Sequence, residues 1–95
     1  MDFTAHALRR CDQRAIPRAL VELIIKLGDE FKCGKGCRII TTHSKIARQE
    51  LTKELQIIGL RIRKGWENAY VVIDGKGLII TTGHRTKRVK KEFRG

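Results

Sequence analysis

An α+β fold is what this 95-residue sequence predicts, with two N-terminal helices packed on a twisted, mostly antiparallel sheet. Three observations predict it. Apolar residues recur at helical spacing through the first 28 positions, where Pro17 and Gly28 act as punctuation. Two β-branched runs, "AYVVID" and "LIITTG", are joined through "GKG". Between these regions "KIARQELTKELQIIG" has a helical period of its own. It reads as a third helix inserted into the sheet or as a long excursion between strands.

Thr4 can cap a first helix from about Ala5 to Arg14, with Ala7, Leu8 and Cys11 on its apolar side. Pro17 suits the first turn of a second helix, in which Leu20, Val21, Ile24 and Leu27 share a face and Gly28 is the stop. The two join at Ala15 and Ile16. "EFKCGKGCRIITT" reads as two short strands or as a strand and a turn. Ser44 is placed to cap the third helical segment, whose apolar positions are Ile46, Ala47, Leu51, Leu55 and Ile58; Gly59 ends it. "LRIRKGW" alternates like a strand. The two runs that follow are nearly continuous in apolar residues, which puts their hairpin at the centre of the sheet, under a helix. The closing "HRTKRVKKEFRG" is cationic at seven of its first eleven positions and reads as a tail that is solvated or ordered by a partner. One domain is expected, with a core to about residue 84 and a basic tail over 85–95.

A chain of this length buries only roughly 60–65% of its unfolded surface. Twenty-one Lys and Arg against ten Asp and Glu give a net charge of +11. The usual partners of so basic a small protein are nucleic acid, an acidic protein or an anionic membrane surface. Five aromatics offer few platforms for base stacking. No apolar run approaches the ~20 residues of a membrane-spanning helix and no signal peptide is visible, so no membrane partner is expected. Three cysteines without a secretion signal point to reduced thiols and a cytoplasmic location. In "CGKGC", Cys33 and Cys37 suggest half a zinc site or a redox pair. A closed zinc site needs four ligands; His43 offers a third and no fourth is apparent. The favoured reading is a Gly-rich turn with semi-buried thiols, with no metal and no cofactor.

The P-loop, the dinucleotide fingerprint and the G-x-S-x-G elbow are absent, and the carboxylates are scattered. That weighs against most metabolic enzymes and against two-metal nucleases. What remains is histidine and arginine. Metal-free RNA cleavage needs a base for the 2′-hydroxyl proton, an acid for the leaving 5′-oxygen and cations around the phosphorane. Histidine suits the first two roles and arginine the third. His6, Arg10 and Arg14 follow one another at a spacing of four, which stacks them along one helix face. His84 and Arg85 complete the chemical kit. Each residue also has a bland reading. His6 can be a structural hydrogen bonder, and Arg10 and Arg14 can pair with Asp12, Glu22 or strand-borne acids. His84 and Arg85 can be part of the basic tail, His43 a loop or capping residue, and Tyr70 and Trp66 packing residues.

The opening T-x-H-A-x-x-R-x-x-x-R-x-I-P, carried by Thr4, His6, Ala7, Arg10, Arg14, Ile16 and Pro17, resembles the signature of a family of small bacterial domains of unassigned function. "YVVIDGKGLIITTGHR" is similar to that family's closing strands. Together the two cover about a third of the chain. The family in turn resembles the RelE/barnase/EndoU/colicin-like ribonuclease superfamily, many of whose members are toxins. Two features depart from the pattern: Ala15 stands where the family usually has Gly, and residues 33 to 64 are longer and more helical. The resemblance implies the fold and carries His6, Arg10, Arg14 and Thr82 over as site positions. The expectation is a metal-independent ribonuclease-like toxin of a toxin–antitoxin pair. His6 and His84 would act as base and acid, and Arg10, Arg14 and Arg85 would bind the scissile phosphate. Thr82, Lys87, Arg88, Lys90 and Lys91 would hold RNA, and an acidic antitoxin would be the protein partner. The alternative is a basic module that binds nucleic acid or an acidic protein without catalysis.

Overall fold

The structure, a computed structural model, describes residues 2–34, 36–61, 63 and 65–84. Helix α1 (Ala5–Gln13) begins at Thr4, whose hydroxyl accepts the Ala7 N–H at 3.1 Å. It ends in a Schellman turn in which the Ile16 N–H donates to Cys11 O at 2.9 Å. That turn needs a left-handed residue just past the helix, and Ala15 takes the position with φ of 52°. A Cβ is unfavourable there. Ala15→Gly is therefore expected to stabilise the protein by about 0.5–1 kcal/mol, net of the extra entropy glycine loses on folding. Thermal unfolding would show it as a rise of roughly 2–8 °C; a fall would mean the turn is set by something other than this φ.

Pro17 is the N-cap of α2 (Arg18–Leu27) rather than a residue of its first turn. Leu20, Val21 and Ile24 are fully buried and Leu27 packs partly against them. Gly28 ends the helix, as expected, but with an ordinary φ of −78°. Its lack of a side chain matters for space instead: a Cβ there would lie 2.5 Å from Ile24 O.

The sheet is a four-stranded antiparallel meander, β1 (Asp29–Lys32), β2 (Arg38–Thr41), β3 (Ala69–Ile73) and β4 (Ile79–His84), in that spatial order. "EFKCGKGCRIITT" thus supplies a two-stranded hairpin, and β2 and β3 are central; the β3–β4 hairpin, expected at the centre, has only β3 there, since β4 is an edge strand with Ile79 buried on its helix-covered side. Asp74 shapes the β3–β4 turn, its Oδ1 accepting the N–H groups of Lys76 and Leu78 at 2.9 Å each. The register aligns Ile40 with Val71 and Val71 with Thr82, so these share one face with Ala69, Ile73 and Ile79. All six are buried. The helices cover that face: α1 lies on β4 and α2 on β2 and β3. The α+β class and the two leading helices therefore stand as expected. The opposite face presents Phe31, Ile39, Tyr70, Val72 and Thr81, all partly exposed. Tyr70 is opposite Gly83, and its ring fills the space a side chain there would need.

Helix α3 (Lys45–Ile57) is inserted between β2 and β3 and packs against α2. Ser44 caps it through the Ala47 N–H at 3.1 Å. Asp29 Oδ2 fixes the approach by accepting the N–H groups of His43 (3.1 Å) and Ser44 (2.8 Å). Only Ala47, Leu51 and Leu55 of this helix are buried. Ile46 and Ile58, expected in the core, are 73% and 50% exposed. A five-residue apolar set is wider than the contact one flanking helix makes, so its margins stay outside. The strand expected from "LRIRKGW" is not found at its described residues either: Leu60, Arg61 and Arg63 have no regular structure. Gly65 is left-handed (φ 92°) and leads into a 3₁₀ turn, Trp66–Asn68. β3, the strand it leads into, already has neighbours on both sides, so the alternating segment has no place beside it. Trp66 is buried in the core. No helix among the described residues is long and apolar enough to cross a membrane.

Candidate functional site

Helix α1 is pinned to β4 at two levels. At its start, Phe3 makes a parallel bridge to Ile79, with Thr4 N–H donating to Ile79 O (3.0 Å) and Ile79 N–H to Asp2 O (2.9 Å). Further along, Cys11 Sγ meets Thr82 Oγ1 at 3.7 Å. The helix and the strand therefore run in the same direction, and Ala7 and Cys11 face the sheet. His6 and Arg10 lie on one flank of that buried stripe, His6 exposed and Arg10 half-buried.

Arg10 Nε donates to His6 Nε2 at 3.4 Å. In this contact His6 Nε2 is the acceptor. Arg14, one turn further, is the exposed C-cap residue. Among the described residues one ion pair is formed, Arg38 with Glu30 at 2.9 Å, on the sheet far from α1. The pairing of Arg10 or Arg14 with Asp12 or Glu22, weighed from sequence, does not occur. A row of cations with no ion-pair partner among the described residues, next to an imidazole, can receive a phosphate and present a base to it.

His84 does not join this group. It is opposite Ala69 and shares the helix-covered face, but it is two residues beyond Thr82. At about 3.3 Å per strand residue and about 1.5 Å per helix residue, the backbones of His6 and His84 are roughly 14 Å apart along the common axis. That exceeds the span of one phosphate. His84 is level with Arg14 and Ala15, and its ring lies beside Gly65. A cleft of about 430 Å³ opens at this end of α1, and its lining includes Asp12, Arg61, Arg63 and Trp66. The cationic kit is thus split: His6 and Arg10 are in contact, Arg61 and Arg63 line the cleft at the other end of α1, and His84 lies beside Gly65. Arg61 and Arg63 were missed because "LRIRKGW" was read as a strand. Their i, i+2 spacing, which sets both on one side of an extended segment, was the available signal.

Thr82, expected at an RNA surface, is 2% exposed and turned under α1, so its hydroxyl has no route to a nucleic acid. Arg85, Lys87, Arg88, Lys90 and Lys91 lie outside the described residues. Among the described residues no cluster of three or more His, Cys, Asp or Glu is arranged for a metal. His43 packs edge-on against Phe31 at the Asp29 end of β1, whereas Cys33 and Cys37 close the other end.

Cys33 N–H donates to Cys37 O at 3.1 Å across the turn. Burial first, and then the charge and hydrogen bond of the Cys37 thiol, push the Cys33 thiol above its ordinary value. A raised value favours the protonated form in the folded protein. The associated stability is present below the unfolded thiol's range and is lost as pH rises through the folded value. Cys33 is accordingly expected to react with iodoacetamide more slowly in the folded protein than in urea at about pH 8, as followed by peptide mapping. Equal rates would contradict the shift. No protein-family model matches the chain, and neither a curated protein nor a solved structure matches it.

Proposed function

We propose that this protein acts on RNA in the cytoplasm as a small, metal-independent ribonuclease-like toxin. The observation that carries the reading is the His6–Arg10 contact on a helix face whose cations have no carboxylate partners. Arg10 and Arg14 take the phosphate, and Arg10 leaves His6 Nε2 as it does so. The freed Nε2 accepts the 2′-hydroxyl proton, the 2′-oxygen attacks phosphorus, and the bond to the 5′-oxygen breaks. The leaving oxygen takes its proton from water, since no second histidine is level with His6. The products are a 2′,3′-cyclic phosphate and a 5′-hydroxyl, and DNA is spared for want of the 2′-hydroxyl. The opening motif resembles a family that in turn resembles a superfamily rich in toxins, and that supports an acidic antitoxin as the protein partner.

The separation of His6 from His84 favours a second reading, in which the same cations bind RNA without cleaving it. One experiment divides the two. Purified protein is incubated with RNA and with DNA of the same sequence in EDTA, and binding is titrated against salt. Fragments ending in cyclic phosphate from RNA alone support cleavage. Intact RNA, bound with an affinity that falls linearly with log[salt], supports binding alone. Neither cleavage nor binding sinks both.

A further inference from the structure

Ile46 and Ile57 are the most exposed large apolar side chains among the described residues, at 73% and 69%. They belong to one row of α3. Ile46, Glu50, Lys53 and Ile57 follow one another at spacings of four, three and four, the interval of a two-helix seam. The row is turned roughly 130° around the helix from the Ala47–Leu51–Leu55 face that packs inward. Glu50 and Lys53 are both exposed, and neither has an ion-pair partner among the described residues. Read from either end, the row runs apolar, charged, charged, apolar, and the two charges are opposite. A second antiparallel copy of such a row fits it throughout.

We infer that α3 is a self-association surface on which two copies of this chain pair antiparallel about a two-fold axis between Leu51 and Thr52. Ile46 then meets Ile57 of the second copy, Glu50 meets Lys53 of the second copy, and symmetry repeats both contacts. The helix suits this on electrostatic grounds. It carries three cations and two carboxylates, a net +1 on a chain of +11, so little of the molecule's charge opposes the approach of two copies along it, and the two Glu50–Lys53 contacts offset that. The pairing is independent of any action on RNA.

Sedimentation velocity tests it. The wild-type mass is expected to rise with concentration from 10.9 kDa towards twice that value. Glu50→Lys sets like charges against each other at both symmetric contacts, as does Lys53→Glu. Each is expected to weaken the dimer on the order of tenfold or more. The double variant Glu50→Lys/Lys53→Glu restores opposite pairs and the dimer. Mixing the two single variants sets only opposite charges across the seam and yields a heterodimer that neither forms alone. Circular dichroism confirms that each variant is folded, since both positions are exposed. A wild-type protein that stays monomeric overturns the inference. So does a dimer that ignores the single reversals, because it uses another face or another partner chemistry.

Discussion

Gly28→Ala is expected to destabilise the protein by about 3 kcal/mol, lowering its melting temperature by roughly 12–24 °C. The added Cβ would sit 2.5 Å from Ile24 O, 2.9 Å from Ile40 Cγ2 and 3.1 Å from Thr41 O. Two of these are backbone atoms with little freedom to move. Ile24 O already accepts the Gly28 N–H at 2.7 Å. Relief requires the end of α2 to lift from β2, which opens the core at Ile24 and Ile40, both essentially unexposed. Gly59→Ala is the matched control. Its φ is +79°, but nothing lies within 4 Å of the new Cβ. Only the left-handed conformation is then penalised, at about 1–2 kcal/mol. Equal losses for the two variants would show that the close approach of α2 to β2 is not what Gly28 serves.

That contrast shows what is legible in a single sequence. A stop at Gly28 follows from local rules, and so do the caps at Thr4 and Ser44 and the turn through "GKG". Each depends on residues within a few positions. The reason for Gly28 depends on Thr41, thirteen residues on, and cannot be read from its neighbours. The faces of α3 follow the same logic. Its period shows which residues share a side, but only the position of α2 decides that Ala47, Leu51 and Leu55 go inside while Ile46 stays out. "LRIRKGW" alternates as a strand does, yet β3, the strand it leads into, is already paired on both sides, and tertiary structure overrides the pattern.

The candidate site divides along the same line. The His6–Arg10–Arg14 stack is a matter of helical spacing, and the contact between His6 and Arg10 realises it. The distance from that stack to His84 is set elsewhere. It depends on the Phe3–Ile79 bridge and on Cys11 meeting Thr82, contacts 76 and 71 residues apart in sequence. Thr82 shows how a motif can mislead. Its position near the end of the last strand fits the family pattern, but the register turns its hydroxyl inward to α1.

His6→Ala is expected to lower RNA cleavage by about 10²–10⁴-fold, the contribution of one general base. His84→Ala is expected to change it by less than about threefold, because its ring lies beside Gly65, out of reach of a phosphate held at Arg10. Arg10→Gln removes a charge-assisted phosphate contact and leaves His6 in place; a loss of roughly 10–100-fold is expected. None of these changes touches the core: His6 is exposed on α1, and alanine favours the helix. Far-UV circular dichroism should therefore match the wild type. The pH profile provides an independent readout. A single base gives a rate that rises with pH to a plateau, whereas a base and an acid acting together give a bell. A bell, together with equal losses in His6→Ala and His84→Ala, would mean that both imidazoles serve one phosphate. The parallel course of α1 and β4, which holds their backbones roughly 14 Å apart, would then have to give way when RNA binds.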